Sequence, residues 1–159
     1  MRITAWLIGF GAVIATSAGQ EADATPQCKR YFASFDSVRF TAGCTSPFGL
    51  CTRGTLSRGN FHGTFTFTVR ELAPSAGLPS VPATTFSFLG DVVFDTGGGN
   101  ITSSDVGILD QVRGLVSETH RITGGTGGWT GATGFLFGRA EATGPSAFTG
   151  DLEGEICLP

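Results

Sequence analysis

The sequence predicts an all-β protein, an eight-stranded antiparallel β-barrel with a central cavity. Three observations predict it. Runs of β-forming residues alternate apolar and polar side chains with a period of two. Eight such runs follow one another, most of them separated by short connections marked by glycine or proline. Beyond the N-terminal segment almost nothing reads as helix. Closing eight strands removes the exposed edges that an open sheet must protect. A barrel of that size is filled by side chains or holds one small ligand. A two-sheet sandwich would use the same pattern and is the alternative architecture.

The first residues, MRITAWLIGFGAVIATSA, have a positive start at Arg2, an apolar middle and small residues at the end. That layout predicts a signal peptide over 1–18. Cleavage is expected after Ala18, with Ala24 as the other candidate, and an uncleaved anchor is the alternative. Residues 19–27 form a polar linker, and 28–159 form one barrel domain. The mature protein is expected to be secreted or periplasmic, with no membrane association.

The first strand is read in RYFASFDSVRF (Arg30 to Phe40) and the second in CTRGTLSRGN (Cys51 to Asn60). In FHGTFTFTVREL, Phe65, Phe67 and Val69 share one face and Thr64, Thr66, Thr68 and Arg70 the other. The proline-rich segment 73–83 is a loop. TTFSFLGDVVFDT then places Phe86, Phe88, Val92 and Phe94 on one face. After the GGGN turn come ITSSDVGILD and RGLVSETHRI, and after a glycine-rich connection TGFLFGRAEA and AFTGDLEGEICL. In the last strand Gly150 and Gly154 share a face with Phe148, Leu152 and Ile156. Phenylalanine fills an interior and glycine vacates it, so part of the barrel is expected to be open.

The net charge is −3, and nine of the ten basic residues are arginines scattered singly. Without a basic stripe, nucleic acid is not an expected partner. The four cysteines, Cys28, Cys44, Cys51 and Cys157, allow three pairings. An even count in an exported chain favours disulfides. CTSPFGLC reads as a turn that brings Cys44 to Cys51, which leaves Cys28 with Cys157. There is no CxxC pair and the two histidines are far apart, so no metal site is expected.

The segment ITGGTGGWTGATG (Ile122 to Gly134) invites comparison with a phosphate cradle. A P-loop needs a lysine after its last glycine, and the only lysine is Lys29. A dinucleotide site needs a helix after the loop, whereas FLFGRAEA alternates like a strand. The segment reads instead as a hairpin connection. Its glycine pairs, Gly124-Gly125 and Gly127-Gly128, are expected to supply positive-φ positions. Trp129 is expected to fold over as a plug at one end of the barrel, in reach of a bound molecule.

GGTGGWTGATG resembles the signature of the corresponding hairpin in dirigent proteins and the allene oxide cyclase barrel superfamily. CTSPFGLCTRGTL, SSDVGILD and the ending GEICLP are similar to segments of bacterial exported members. The resemblance covers most of the mature chain and implies an eight-stranded barrel with a cavity, often assembled as dimers or trimers. Characterised members include cofactor-free cyclases of fatty-acid epoxides, guides of phenoxy radical coupling, and enzymes of pericyclic cyclisation. Only the hairpin matches residue by residue, and Tyr31 as the single tyrosine weakens a carry-over of tyrosine-based chemistry.

The sequence holds no GxSxG elbow, no HExxH and no lysine in the body of the domain. What remains is acid–base and electrostatic chemistry in an apolar pocket. Strand parity nominates His120, Arg139 and Asp36 as catalytic groups projecting into one pocket near the barrel mouth. Arg58, Glu118, Phe135, Phe137 and Trp129 are the expected substrate contacts. The face of Asp105 is ambiguous, and His62 is expected to point outward. The same charged residues could instead form a structural ion-pair network or sit at the rim in water. The expected function is a cofactor-independent isomerase or cyclase acting on a small hydrophobic molecule. The alternative is a non-enzymatic exported carrier or a filled structural barrel.

Overall fold

Alternation along the strands becomes inside and outside of a closed wall. A computed structural model of the chain describes residues 25–75 and 84–159. The signal segment 1–18, most of the linker and part of the proline-rich loop lie outside the described residues. Eight strands form the barrel: β1 (Gln27–Phe40), β2 (Cys51–Gly59), β3 (Gly63–Pro74), β4 (Thr85–Thr96), β5 (Gly99–Asp110), β6 (Leu115–Gly125), β7 (Thr133–Gly144) and β8 (Ala147–Leu158). Each strand pairs antiparallel with its sequence neighbour, and β8 closes on β1. The barrel is therefore an up-and-down meander with no free edge. The sole helical element among the described residues is one 3-10 turn, Gly127–Trp129.

Two disulfides fasten the barrel. Cys28 and Cys157 face each other in the β1–β8 register and lock the closing seam. Cys44 and Cys51 staple the loop between β1 and β2. No helix among the described residues is long and apolar enough to cross a membrane.

The two ends of the barrel differ. At one end the interior is solid. Tyr31, Phe61 and Trp129 meet edge to face with centroids 5.6 to 6.5 Å apart, and Phe94 packs on Phe61. The Trp129 Nε1–H donates to Thr96 Oγ1 at 2.8 Å, which turns the indole in over the barrel end. Ile101, Leu136 and Ile156, with almost no exposure, complete this half of the core.

At the other end the interior is hollow. Its phenylalanines lie over glycines of adjoining strands. A Cβ on Gly54 would come within 2.5 Å of the Phe65 ring, and Gly90, Gly107 and Gly150 make the same room for Phe67, Phe88 and Phe35. Rings that settle into the wall leave the lumen open.

The glycine hairpin works differently from its expected role. Gly124 and Gly127 have positive φ, but Gly125 and Gly128 do not. Gly125 is needed for close approach: a Cβ there would sit 2.6 Å from the Asn100 carbonyl oxygen and 2.7 Å from Trp129.

Candidate functional site

The hollow half forms a cavity of about 510 Å³. Phe35, Phe65, Phe67, Phe88 and Phe94 line it with other apolar groups, and the loop before β2 and the β5–β6 and β7–β8 turns surround its mouth. Glu118 and His120, both on β6, are its acidic and imidazole groups.

Strand register builds this pair into a triad. Asp105 on β5 stands directly opposite His120 on β6, while Glu118 stands between Gly107 on β5 and Gly138 on β7. These glycines are the reason a carboxylate fits against the wall. A Cβ on Gly138 would come within 2.6 Å of Glu118 Cγ and Oε1. His120 Nε2 lies 3.3 Å from Glu118 Oε1, and Nδ1 lies 3.7 Å from Asp105 Oδ1. Asp105 is 0% exposed and His120 4%. Neither has a hydrogen bond of good geometry to a described residue, nor has the Ser103 hydroxyl, which shares the inward face of β5.

Burial sets the electrostatics. Loss of water is the main force raising the Asp105 carboxyl to about 8, the Glu118 charge adds to it, and His120 opposes it. For His120, burial disfavours the imidazolium, but the adjacent Glu118 carboxylate, joined by Asp105 only where that group is ionised, outweighs the cost and its pKa is raised. The triad therefore holds Asp105 protonated at neutral pH and favours a protonated imidazole, inside an apolar chamber.

Donor atoms of the three residues lie within 4.8 Å of one another, a spacing one divalent cation could bridge. The two carboxylates, however, are nearest to opposite ring nitrogens. A cation bound through one ring nitrogen takes its carboxylate ligands from that same side of the ring, whereas carboxylates flanking both nitrogens suit a proton relay.

Several sequence-nominated residues lie elsewhere. Arg139, Phe135 and Phe137 are on the outer wall, because Leu136 and Gly138 take the inward positions of β7. Asp36 is also outside, since Ala33, Phe35 and Ser37 face the interior. Both are slips of one residue in parity, which reverse every side chain of a strand. Arg58 is exposed at the end of β2 with φ of 50°. Trp129 seals the solid end and does not line the cavity. His62 is exposed. Of the nominated groups, the cavity brings together His120 and Glu118. Asp105, whose face between Ser104 and Val106 was ambiguous in the sequence, points inward, while Val106 and Ile108 point outward. Its pairing with His120 is the signal that places it, and that pairing requires knowing the β5–β6 register.

The fold and site define a closed eight-stranded barrel with an apolar chamber and a buried Asp–His–Glu cluster. Comparison with the models of known protein families, with curated proteins and with solved structures finds no match.

Proposed function

We propose that this protein is an exported, cofactor-independent isomerase or cyclase that folds a small hydrophobic substrate inside its barrel. The observation that carries the reading is the Glu118–His120 pair lining a mostly apolar cavity, with Asp105 behind His120; Arg39 and Gln111 also line the cavity. Burying ionisable groups without ideal partners is costly, and such groups concentrate where chemistry is done. The likeness of the glycine hairpin to the dirigent and allene oxide cyclase superfamily supports the same reading. Both disulfides suit an oxidising compartment, which supports secretion or a periplasmic location.

In the proposed mechanism, the protonated His120 ring, flanked by Glu118 and Asp105, stabilises through its charge the negative charge that develops on an oxygen of the substrate. The Glu118 carboxylate removes a proton from an adjacent carbon and returns it at another. Asp105 holds the imidazole oriented from its other nitrogen. The phenylalanine walls fix the folded conformation, and orientation of that kind lowers a barrier by several kcal/mol, on the order of 7 at best-aligned sites.

The test uses an apolar enolisable ketone in deuterated water. Exchange of its α-protons, followed by NMR, is expected above background for the wild type. Glu118→Gln is expected to reduce it by about 10²–10⁴-fold while binding persists. The second reading, a carrier of a small hydrophobic ligand, is favoured by the apolar lining itself. Tight binding with exchange at the background rate in the wild type would select the carrier and end the enzyme reading.

A further inference from the structure

Three connections border the cavity mouth: residues 41–50 before β2, the β5–β6 turn 111–114 and the β7–β8 turn 145–146. Leu50, Gln111 and Ser146 in them line the cavity. Their outward tips are apolar. Val112, 75% exposed, is the most exposed large apolar side chain among the described residues, and Phe48 and Leu115 at the same end are 45% and 47% exposed. Local bonds hold these tips out. The Asp110 carboxylate accepts the Val112 and Arg113 N–H groups at 3.1 Å each. The Cys44–Cys51 bridge closes the other loop, the Phe48 N–H donates to Ser46 Oγ, and the Arg39 guanidinium donates to the Gly49 carbonyl. The sealed end is built the opposite way: Phe61 and Ala132 in its connections are buried and Trp129 turns inward. Charge at the rim is sparse. Arg113 is the only charged residue in the three connections. Arg39 lies at the mouth and forms no salt bridge among the described residues. Of the nearby acids, Asp110 is engaged by its turn and lies 3.7 Å from Arg113. Glu71 and Glu141 stand on the outer wall, three residues short of the ends of β3 and β7.

We propose that the mouth end docks on the surface of a phospholipid bilayer, with Phe48, Val112 and Leu115 inserted among the headgroups and Arg39 and Arg113 on lipid phosphates. A molecule apolar enough for the cavity concentrates in lipid rather than in water, so a chamber that loads it gains from meeting a bilayer mouth first. Apolar tips beside guanidinium groups complement an anionic surface laid over an apolar layer. The tips stand on separate loops around an opening, not on one continuous face. A fluid surface fills the gaps between them, whereas a protein partner would need a matching shape. The proposal departs from the expected lack of membrane association, because contact of this kind needs neither a spanning segment nor a polybasic cluster. It rests on the cavity taking a hydrophobic ligand, which both readings of the function share, and uses none of the acid–base chemistry.

Flotation of the exported protein with vesicles tests it, using phosphatidylcholine alone and phosphatidylcholine mixed with phosphatidylglycerol. The wild type is expected to float with both, and more with the anionic vesicles at low salt. Phe48→Ser and Val112→Ser are each expected to weaken partition by about tenfold. Their thermal melting, and their proton exchange on a ketone supplied in solution, are expected to match the wild type, since neither side chain lines the cavity. Glu118→Gln is expected to float as the wild type does, which separates loss of docking from loss of chemistry. Brominated lipids read the orientation. Trp129, at the sealed end, is expected to keep its fluorescence, and the indole introduced by Phe48→Trp to be quenched. No flotation with either vesicle, quenching of Trp129, or partition unchanged in both serine variants would each overturn the proposal. A dimer formed without lipid and abolished by Phe48→Ser would also overturn it, by making a second copy the occupant of the rim.

Discussion

A carboxyl group with no exposed surface, set beside a histidine and a second carboxylate, makes folding depend on pH. In the unfolded chain Asp105 ionises near 3.8, whereas in the barrel it keeps its proton to about 8. Between those values the folded state binds more protons than the unfolded one, so stability falls as pH rises. His120 acts in the same direction. Its raised pKa contributes stability that is complete below 6.5 and is lost as pH climbs through the folded value. Melting temperature is therefore expected to decline from pH 5 to pH 9. Asp105→Asn removes the ionisation but keeps the shape. It is expected to flatten that decline and to raise the melting temperature at alkaline pH by about 5 °C, an effect of roughly 2 kcal/mol. A scanning calorimetry series that showed the variant declining as steeply as the wild type would assign the pH dependence to other groups. His120 was legible as inward-facing because Val116, Glu118 and Ile122 share its face. Asp105 was not, because its environment is supplied by the neighbouring strand and no local pattern records it.

At the level of strands, glycine decides where larger groups can go. Gly138 leaves the space that Glu118 occupies. Gly138→Ala is expected to push the carboxylate away from His120 and to lower proton exchange by about 10²-fold while every titratable group remains, since small displacements of reacting groups carry effects of that size. The variant tests geometry alone, and unchanged exchange with an unchanged Glu118 position in its crystal structure would contradict it. Gly125→Val forces a branched side chain between the Asn100 carbonyl and Trp129. A loss of about 1–3 kcal/mol in denaturant unfolding is expected from the crowding. The strands themselves were legible wherever one face is apolar and the other polar. In β3, Phe65, Phe67 and Val69 face in against outward threonines. In β1 and β7 both faces carry large apolar groups, so parity had no unique answer. Choosing the aromatic face of β7 sent Arg139 inward in expectation and outward in fact. The outer aromatics, Phe135 and Phe137, are what defeated the reading.

For the molecule as a whole, the seam between β1 and β8 is the contact that forms between residues farthest apart in sequence. Cys28 and Cys157 bridge it across a separation of 129 residues, against 7 for Cys44 and Cys51. Loop-closure entropy in the unfolded chain grows with that separation. Replacing the Cys28–Cys157 pair by serines is expected to cost about 2–5 kcal/mol, and replacing the Cys44–Cys51 pair less. Chemical denaturation of the two double variants compares them, and an equal or reversed order would place the stabilisation in native-state contacts instead. The bridge has another consequence. With its first and last strands stitched together and every other strand joined by a hairpin, the backbone from Cys28 to Cys157 is a covalent ring. Cutting that ring at the exposed β5–β6 turn, residues 111–114, leaves one molecule whose eight strands keep all their neighbours. A nicked protein should run as a single species until reductant is added. A gene rearranged to begin at that turn, with old ends fused, should encode the same barrel.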